Sequence, residues 1–416
     1  MKIKLPITSA FLLFIGFNPF GTSYMSFSQG TWTQKANVGG TATRHAAIGF
    51  SIGTKGYIGL GVSASAFGPN DFWEWDQATD VWTQRANFPG GYRFGPVGFS
   101  IGTKGYVGTG SDGGSVYYND FWEWNQSNNT WTQKTPFPGA AREIAVGFSI
   151  GTKGYIGVGQ DSVTNFPDFW EWNQTTNAWT QKANFGGGYG LGAAGFSIGT
   201  KGYIGGGNGI SDDLWEWDQT TDVWTQKASF GGGTARILTA GFSIGTKGYI
   251  GTGRDFSGNL YKDFWEWNQA TDTWTQKVNF GGTARWFGTG FSIGTKGYIG
   301  TGADTSAAFI LSDFWEYDPN GNGVNEIDLS NLISVYPHPS TGQFTLSSDP
   351  STSLRVTRID IYNAEGEKVY SSTVNRKQET INRNVPSGIY FLRVSFPSGH
   401  IKTGQGSATK KIIIQK

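Results

Sequence analysis

Five arginines, Arg44, Arg93, Arg142, Arg236 and Arg285, each stand five residues ahead of the same glycine-led block, and in the remaining copy that place holds Gly190 beside Tyr189. A guanidinium is planar and always charged, so a set of them offers bidentate recognition of carboxylate, sulfate or phosphate. Tyr92, Phe94, Tyr189 and Trp286 are sequence neighbours able to stack on a sugar or pack on a peptide. Acids are present too: Glu143 adjoins Arg142, and Asp112, Asp161, Asp255 and Asp304 fall just after the glycine-led blocks. An acid beside an arginine-held carboxylate is the minimum for proton-transfer chemistry, but no spacing pairs these acids into a recognisable site. Arg44, Arg93, Arg142, Arg236, Arg285, Tyr92, Tyr189 and Trp286 are the candidate ligand-binding set, and no catalytic residue is singled out. A purely structural role for the arginines stays open beside the binding one.

The block reads GFSIGTKGYIGxG, with conservative change, and begins at Gly49, Gly98, Gly147, Gly195, Gly241 and Gly290, at spacings of 49, 49, 48, 46 and 49 residues. A second block, DFWEW with minor variation, starts at Asp71, Asp120, Asp168, Asp213, Asp263 and Asp313, and Trp-Thr-Gln follows at Trp82, Trp131, Trp179, Trp224 and Trp274. Each period thus carries four short runs rich in aromatic and β-branched residues, bounded by Gly, Asn and Asp turns, with nothing of helical period between them. The spacing predicts an all-β chain built from one four-stranded unit repeated six times. The first two strands of each unit meet at Gly-Thr-Lys-Gly, a tight hairpin. The arginines open the innermost strand and are expected to ring a central opening.

These features resemble kelch-repeat β-propellers over residues 31 to 318: a glycine pair closes the second strand, aromatics fill the third and tryptophan opens the fourth. Trp32-Thr33-Gln34 precedes the first block while the sixth repeat lacks its own, so the N-terminal strand should complete the sixth blade and remove an open edge. Alternation in FWEW sets both tryptophans on one face and Phe with Glu on the other, so most of the 18 tryptophans are read as packing between blades. Glu74, Glu123, Glu171, Glu216, Glu266 and Glu316 recur identically and are expected to be paired or hydrogen-bonded between blades. Some propellers of this kind are enzymes. A copper oxidase of the galactose oxidase type needs histidines and a cysteine-linked tyrosine, whereas this chain has no cysteine and only His45 within the propeller. The six-bladed sialic acid mutarotase type demands less and stays as the enzymatic alternative. A sialidase would carry Asp-box repeats, which are missing.

Both ends concern destination. Lys2 and Lys4 precede an apolar run from Ala10 to Phe17, and Ser26-Phe27-Ser28 offers small residues, so residues 1–28 read as a signal peptide. No later stretch reaches the roughly 20 apolar residues of a membrane-spanning helix. After Asp318 the tryptophans stop. A linker at 319–333 leads to VYPHPSTGQFTL (335–346), IDIYNAEGEKV (359–369), VPSGIYFLRV (385–394) and the terminal TKKIIIQK. Their order and end position resemble the C-terminal sorting domain of type IX secretion substrates from Bacteroidetes, with His338 where that family more often has Asn. The resemblance implies an immunoglobulin-like sandwich over 334–416, the type IX translocon as partner, and a secreted or outer-membrane-surface location.

The region 333–416 holds 11 Lys/Arg and 5 Asp/Glu, leaving 21 and 26 elsewhere, and loss of Lys2 and Lys4 brings the propeller with its linker near −7. That mildly acidic balance excludes the basic stripe nucleic acid would need. One propeller face should carry six copies of Gly-Thr-Lys-Gly. The other should carry the strand 2–3 loops VSASAFGPN, SDGGSVYYN, QDSVTNFP, NGISD, RDFSGNLYK and ADTSAAFILS, all different, and binding concentrates on such loops. Asp318, Asn320 and Asn322 place oxygens at alternate positions like the start of a calcium loop, but Leu329 occupies the twelfth position, where a carboxylate belongs. No cofactor motif is present. The expectation is a non-catalytic propeller binding an unidentified protein or glycan on its loop face, with the mutarotase-type enzyme and a pure scaffold as alternatives.

Overall fold

The computed structural model describes residues 30–321, except 40–42, 64–68, 189, 208–211 and 305–309, together with strands and adjoining residues between 333 and 414. Residues 1–28, where a signal peptide is expected, Tyr189, Asn322 and most of the expected linker 319–333 lie outside the described residues. Two units are present, 28–323 and a second formed chiefly by 324–416.

The first unit is a six-bladed propeller. Blade 1 is a meander of Ile48–Ile52, Lys55–Gly59, Phe72–Asp76 and Val81–Arg85, paired in that order. Blades 2 to 5 repeat it over 97–133, 146–182, 194–227 and 240–276. Blade 6 takes Thr289–Ile293, Lys296–Gly300 and Phe314–Asp318 from late in the chain and its outer strand, Thr31–Lys35, from the beginning. Thr31 lies opposite Asp318 and Lys35 opposite Phe314, so the ring closes by pairing chain ends. Each inner hairpin turns on a glycine such as Gly53, at φ +60°, a conformation that costs glycine little.

Blade-to-blade packing explains why the block is so uniform. The inner-strand Phe of one blade sits on two glycines of the next: Phe50 covers Gly98 and Gly105, and Phe291 covers Gly49 and Gly56. A Cβ on Gly56 would stand 2.6 Å from Phe291 Cζ, so only glycine fits. The second tryptophan of each FWEW block, from Trp75 to Trp267, is fully buried. Trp75 packs against Tyr298 and Phe314 of the preceding blade, at 5.1 and 5.0 Å between ring centroids. The outer-strand tryptophan donates its indole N–H to a carbonyl of the preceding blade, Trp82 to Ala36 at 2.9 Å and Trp131 to Ala86 at 2.9 Å. Trp32 does the same to Val278 at 3.4 Å, so the N-terminal strand is stapled by the device every other blade uses.

The repeated glutamates pair within their own blade, which corrects the expectation of inter-blade pairing. Tyr57 and Glu74 are opposite each other on adjacent strands. Tyr57 donates its hydroxyl to Glu74 at 2.7 Å, and Arg85 on the outer strand closes on the same carboxylate at 2.7 Å. The inter-blade bond comes instead from a turn glutamine, Gln126 to Tyr57 and Gln77 to Tyr298, both 2.7 Å. Burial and the adjacent glutamate push these tyrosines well above the ordinary range, which leaves them neutral donors.

The second unit contains seven described strands in two antiparallel sheets. One holds Ile333–Tyr336, Gln343–Ser348 and Gln378–Asn382; the other holds Val356–Tyr362, Lys368–Arg376, Gly388–Ser395 and Ser407–Ile414. Phe344, Ile359, Ile361, Ile381 and Leu392 are buried. Among the described residues the chain has no helix, and none long and apolar enough to cross a membrane.

Candidate functional site

The meander brings the entry of the inner strand and the entry of the third strand to the same end of each blade, and this decides what the ring arginines do. Arg44 grips both oxygens of Asp71 at 2.8 and 2.9 Å, Arg236 those of Asp263 at 2.6 and 3.1 Å, and Arg285 those of Asp313 at 2.6 and 2.7 Å. Arg142 holds Asp168 likewise, and Arg93 reaches Asp120 at 2.6 Å. Further donors go to backbone carbonyls, Arg142 to Val158 and Arg285 to Thr301 among them. All five residues are 0–2% exposed. The same aspartates accept the indole N–H of the tryptophan two residues on, as Trp73 donates to Asp71 at 2.6 Å.

Arg44, Arg93, Arg142, Arg236 and Arg285 are therefore internal ties between strands one and three, and not the ligand-facing ring expected from sequence. Each guanidinium is drawn below the surface by a carboxylate of its own blade, and its donors are committed there. Several also lie flat on aromatics, Arg93 over Tyr118 at 3.5 Å and Arg236 over Tyr261 at 4.1 Å.

Three residues before each block the backbone turns left-handed. Ala46, Gly95, Ile144, Gly192, Leu238 and Phe287 have φ between +47° and +59°, rare for a β-branched residue such as Ile144. Their peptide groups form a hydrogen-bonded circuit around the axis: Gly95 to Ala46, Ile144 to Gly95, Gly192 to Ile144, Thr239 to Gly192, Phe287 to Leu238 and Ala46 to Phe287, at 2.7–3.3 Å. Along the inner strands next to it lies an axial cavity of about 150 Å³, lined by the leading glycines of the six blocks and their neighbours. Ile144 and Leu238 lean over Gly95 and Gly192 at the mouth.

Between the buried arginine and this circuit, five blades present one residue on a fixed backbone bridge. These are His45, Phe94, Glu143, Ile237 and Trp286, facing Val62, Ser111, Gln160, Arg254 and Ala303; in the fourth blade, where Gly190 replaces the arginine, Leu191 stands in the same place with its amide alone bonded to Gly207. Both bonds of a bridge are typically present, for example Phe94 and Ser111 at 2.8 and 3.0 Å. The same backbone position carries six different side chains.

On one side of this rosette Glu143 accepts from Ser111 Oγ at 2.5 Å and Gln160 Nε2 at 3.4 Å. Burial, with Asp112 and Glu143 nearby, raises Tyr92 above its ordinary range. On the other side His45, Phe94, Trp286 and Phe287 form an aromatic cluster with centroids 4.9–6.3 Å apart. Burial lowers the His45 pKa, partly offset by a bond to Val62, and its Nδ1 has no partner.

Of the remaining candidate acids, Asp112, Asp161 and Asp255 hold their own loops. Asp161 Oδ1 accepts from the amides of Val163 and Thr164, and Asp255 from Asn259 and Tyr261, which lowers both carboxyls.

Arg254 was not singled out by sequence. Its guanidinium lies 4.0 Å from the ring centroid of Trp286 and makes no hydrogen bond or ion pair among the described residues, with a buried, unpartnered Nε. The other described propeller arginines are all carboxylate-paired. The available signal was spacing: each paired arginine has an aspartate 26–28 residues on, or, for Arg85, a glutamate across the sheet, and Arg254 has neither.

The opposite face is charge-compensated. Lys55, Lys201 and Lys296 pair with Asp76, Asp218 and Asp318. Asp318 also accepts from the Asn320 amide at 2.9 Å, as Asp76 does from Ala78. Asp318 and Asn320 thus repeat the local turn that follows the third strand in blade 1, with the carboxylate held by lysine, while Asn322, the third residue of the weak calcium candidate, lies outside the described residues. Among the described residues no cluster of metal-ligating side chains occurs.

Residues 334–415 match the secretion system C-terminal sorting domain. The solved structure of YjhT is similar to this chain with a TM-score of 0.58 at 16% identity, covering 67% of this chain and 95% of that one, a likeness that shows the fold alone. A comparison with curated proteins gives no match. The chain joins a six-bladed β-propeller to a sorting domain that directs export and delivery to the outer-membrane surface by the type IX system.

Proposed function

We propose that the propeller is a non-catalytic binding module of kelch type, carried to the cell surface to engage a protein or glycan through its loop face. The observation that supports this reading is the rosette: six equivalent positions, five on hydrogen-bonded bridges and Leu191 on a single bond, each with a different side chain, beside blocks that hardly vary. A scaffold with one varied face is how repeat proteins bind. Exposed apolar side chains add to it, since Val116, Val163 and Phe256 on the strand 2–3 loops are 48%, 89% and 62% exposed. The mutarotase-type alternative keeps Glu143 as its acid, but the arginines it would use on a substrate carboxylate are engaged by Asp71, Asp120, Asp168, Asp263 and Asp313.

The test exploits exposed valines on both faces. The full chain is screened against a glycan array and a displayed peptide library beside two variants. One carries Val116→Ser, Val163→Ser and Phe256→Ser; the other carries Val81→Ser and Val223→Ser on the hairpin face, where both are about half exposed. Binders lost only by the first variant are expected. Binders lost only by the second, or none for the wild type, would overturn the reading.

A further inference from the structure

We infer that Arg254, stacked on Trp286, is the anchor for a carboxylate side chain of a protein partner. The inference rests on the loop-face reading above and names the chemistry of what docks there. A buried or half-buried guanidinium is normally matched by an acid in its own chain, and six of the seven described propeller arginines are so matched. Arg254 is the exception, and it is not loose. Its backbone is bridged to Ile237 in both directions, at 2.9 and 3.1 Å, and Leu260 pairs on its other side. Its guanidinium is held against the indole at 4.0 Å. A cation fixed on an aromatic face keeps its in-plane donors available for a planar acceptor, which is bidentate carboxylate geometry with little ordering left to complete on binding.

The surroundings favour a carboxylate over a phosphate or sulfate dianion. Glu143, Asp112, Asp161 and Asp255 share the loop face, and the further described cation of the Arg254 loop, Lys262, is exposed at the loop's far end and outside the rosette. One positive charge suits one negative charge. They also favour protein over glycan as the source. The aromatic faces a sugar would stack on are already covered, Trp286 by Arg254 on one side and by His45 and Phe287 around it. The loop face also exposes the apolar side chains Val116, Val163 and Phe256. A half-buried arginine on an aromatic ring, on a face that exposes apolar side chains, has the make-up of a protein-interface hot spot. The partner segment expected is an aspartate or glutamate flanked by large apolar residues.

The experiment is selection of a random displayed-peptide library on the purified full chain, wild type against Arg254→Glu and Arg254→Lys, with a carboxylated-glycan array run in parallel. The Arg254 side chain makes no hydrogen bond to a described residue, and its backbone bonds to Ile237 do not depend on side-chain identity, so the variants are expected to melt close to the wild type, and that check is made first. The wild type should enrich Asp- or Glu-centred apolar peptides. Arg254→Lys should weaken them, and Arg254→Glu should abolish them, with loss of about tenfold or more in affinity, and enrich Lys- or Arg-centred peptides instead. Enriched peptides with no acid, or with an acid indifferent to Arg254→Glu, would overturn this inference while leaving the loop face as the binding surface. Carboxylated glycans lost on Arg254→Glu without peptide enrichment would assign the carboxylate to a sugar and overturn the protein partner. No binder of either kind would instead overturn the loop-face reading itself.

Discussion

At the scale of single residues, the propeller contains two populations of arginine that differ in what faces them and in how deeply they are buried. Arg142 is fully buried with its donors on Asp168 and Val158, while Arg254, on an equally fixed backbone, faces no acid. Removing one member of a buried ion pair strands the other, so Arg142→Ala should lower the stability of the propeller by about 3 kcal/mol. Chemical denaturation followed by tryptophan fluorescence measures it; a loss below about 1 kcal/mol would mean that the pair behaves as an exposed one. The pairing was half legible in the sequence. The constant Arg-to-Asp separation is there to read, but the contact requires knowing that strands one and three flank strand two with their entries at one end. The same gap produced the misplaced glutamates, because Tyr57 faces Glu74 only once the register of their two strands is fixed. The loop aspartates could not be assigned from sequence for a different reason, since a carboxylate that caps its own loop and one that awaits a ligand look identical in a string of letters.

At the scale of the element, the blade is defined by a Phe on one sheet and a pair of glycines on the next, repeated around the ring. A methyl group at Gly105 would lie 2.5 Å from Phe50 Cζ, so Gly105→Ala is expected to cost about 1–3 kcal/mol through overpacking. Phe50→Leu should relieve part of that loss when the two are combined. Thermal melts of the two single variants and the double variant supply the cycle, and strict additivity would contradict direct packing. This element was largely readable in advance: the six-fold repetition, the glycine hairpins and the orphan Trp-Thr-Gln at residues 32–34 gave blade number and closure without coordinates. What sequence did not reveal is the left-handed position at Ala46, Ile144, Leu238 and Phe287. Those residue types carry no sign of it, because the hydrogen-bonded circuit imposes the conformation from neighbouring blades.

At the scale of the molecule, uniformity and variation are sorted to opposite faces. Lysines and turn aspartates neutralise each other on the hairpin face, while the loop face carries the rosette, the unpaired Arg254 and the exposed apolar tips. The sorting domain takes this asymmetric ring out to the cell surface, where one varied face on a rigid support can meet a partner. The most direct test is hydrogen exchange on the full chain with and without whichever peptide or glycan the screens return. Protection is expected over 111–118, 160–166 and 254–261 on the loop face, with the Gly-Thr-Lys-Gly turns unchanged. Protection confined to those turns, with the loop face exchanging as in the free protein, would contradict the account.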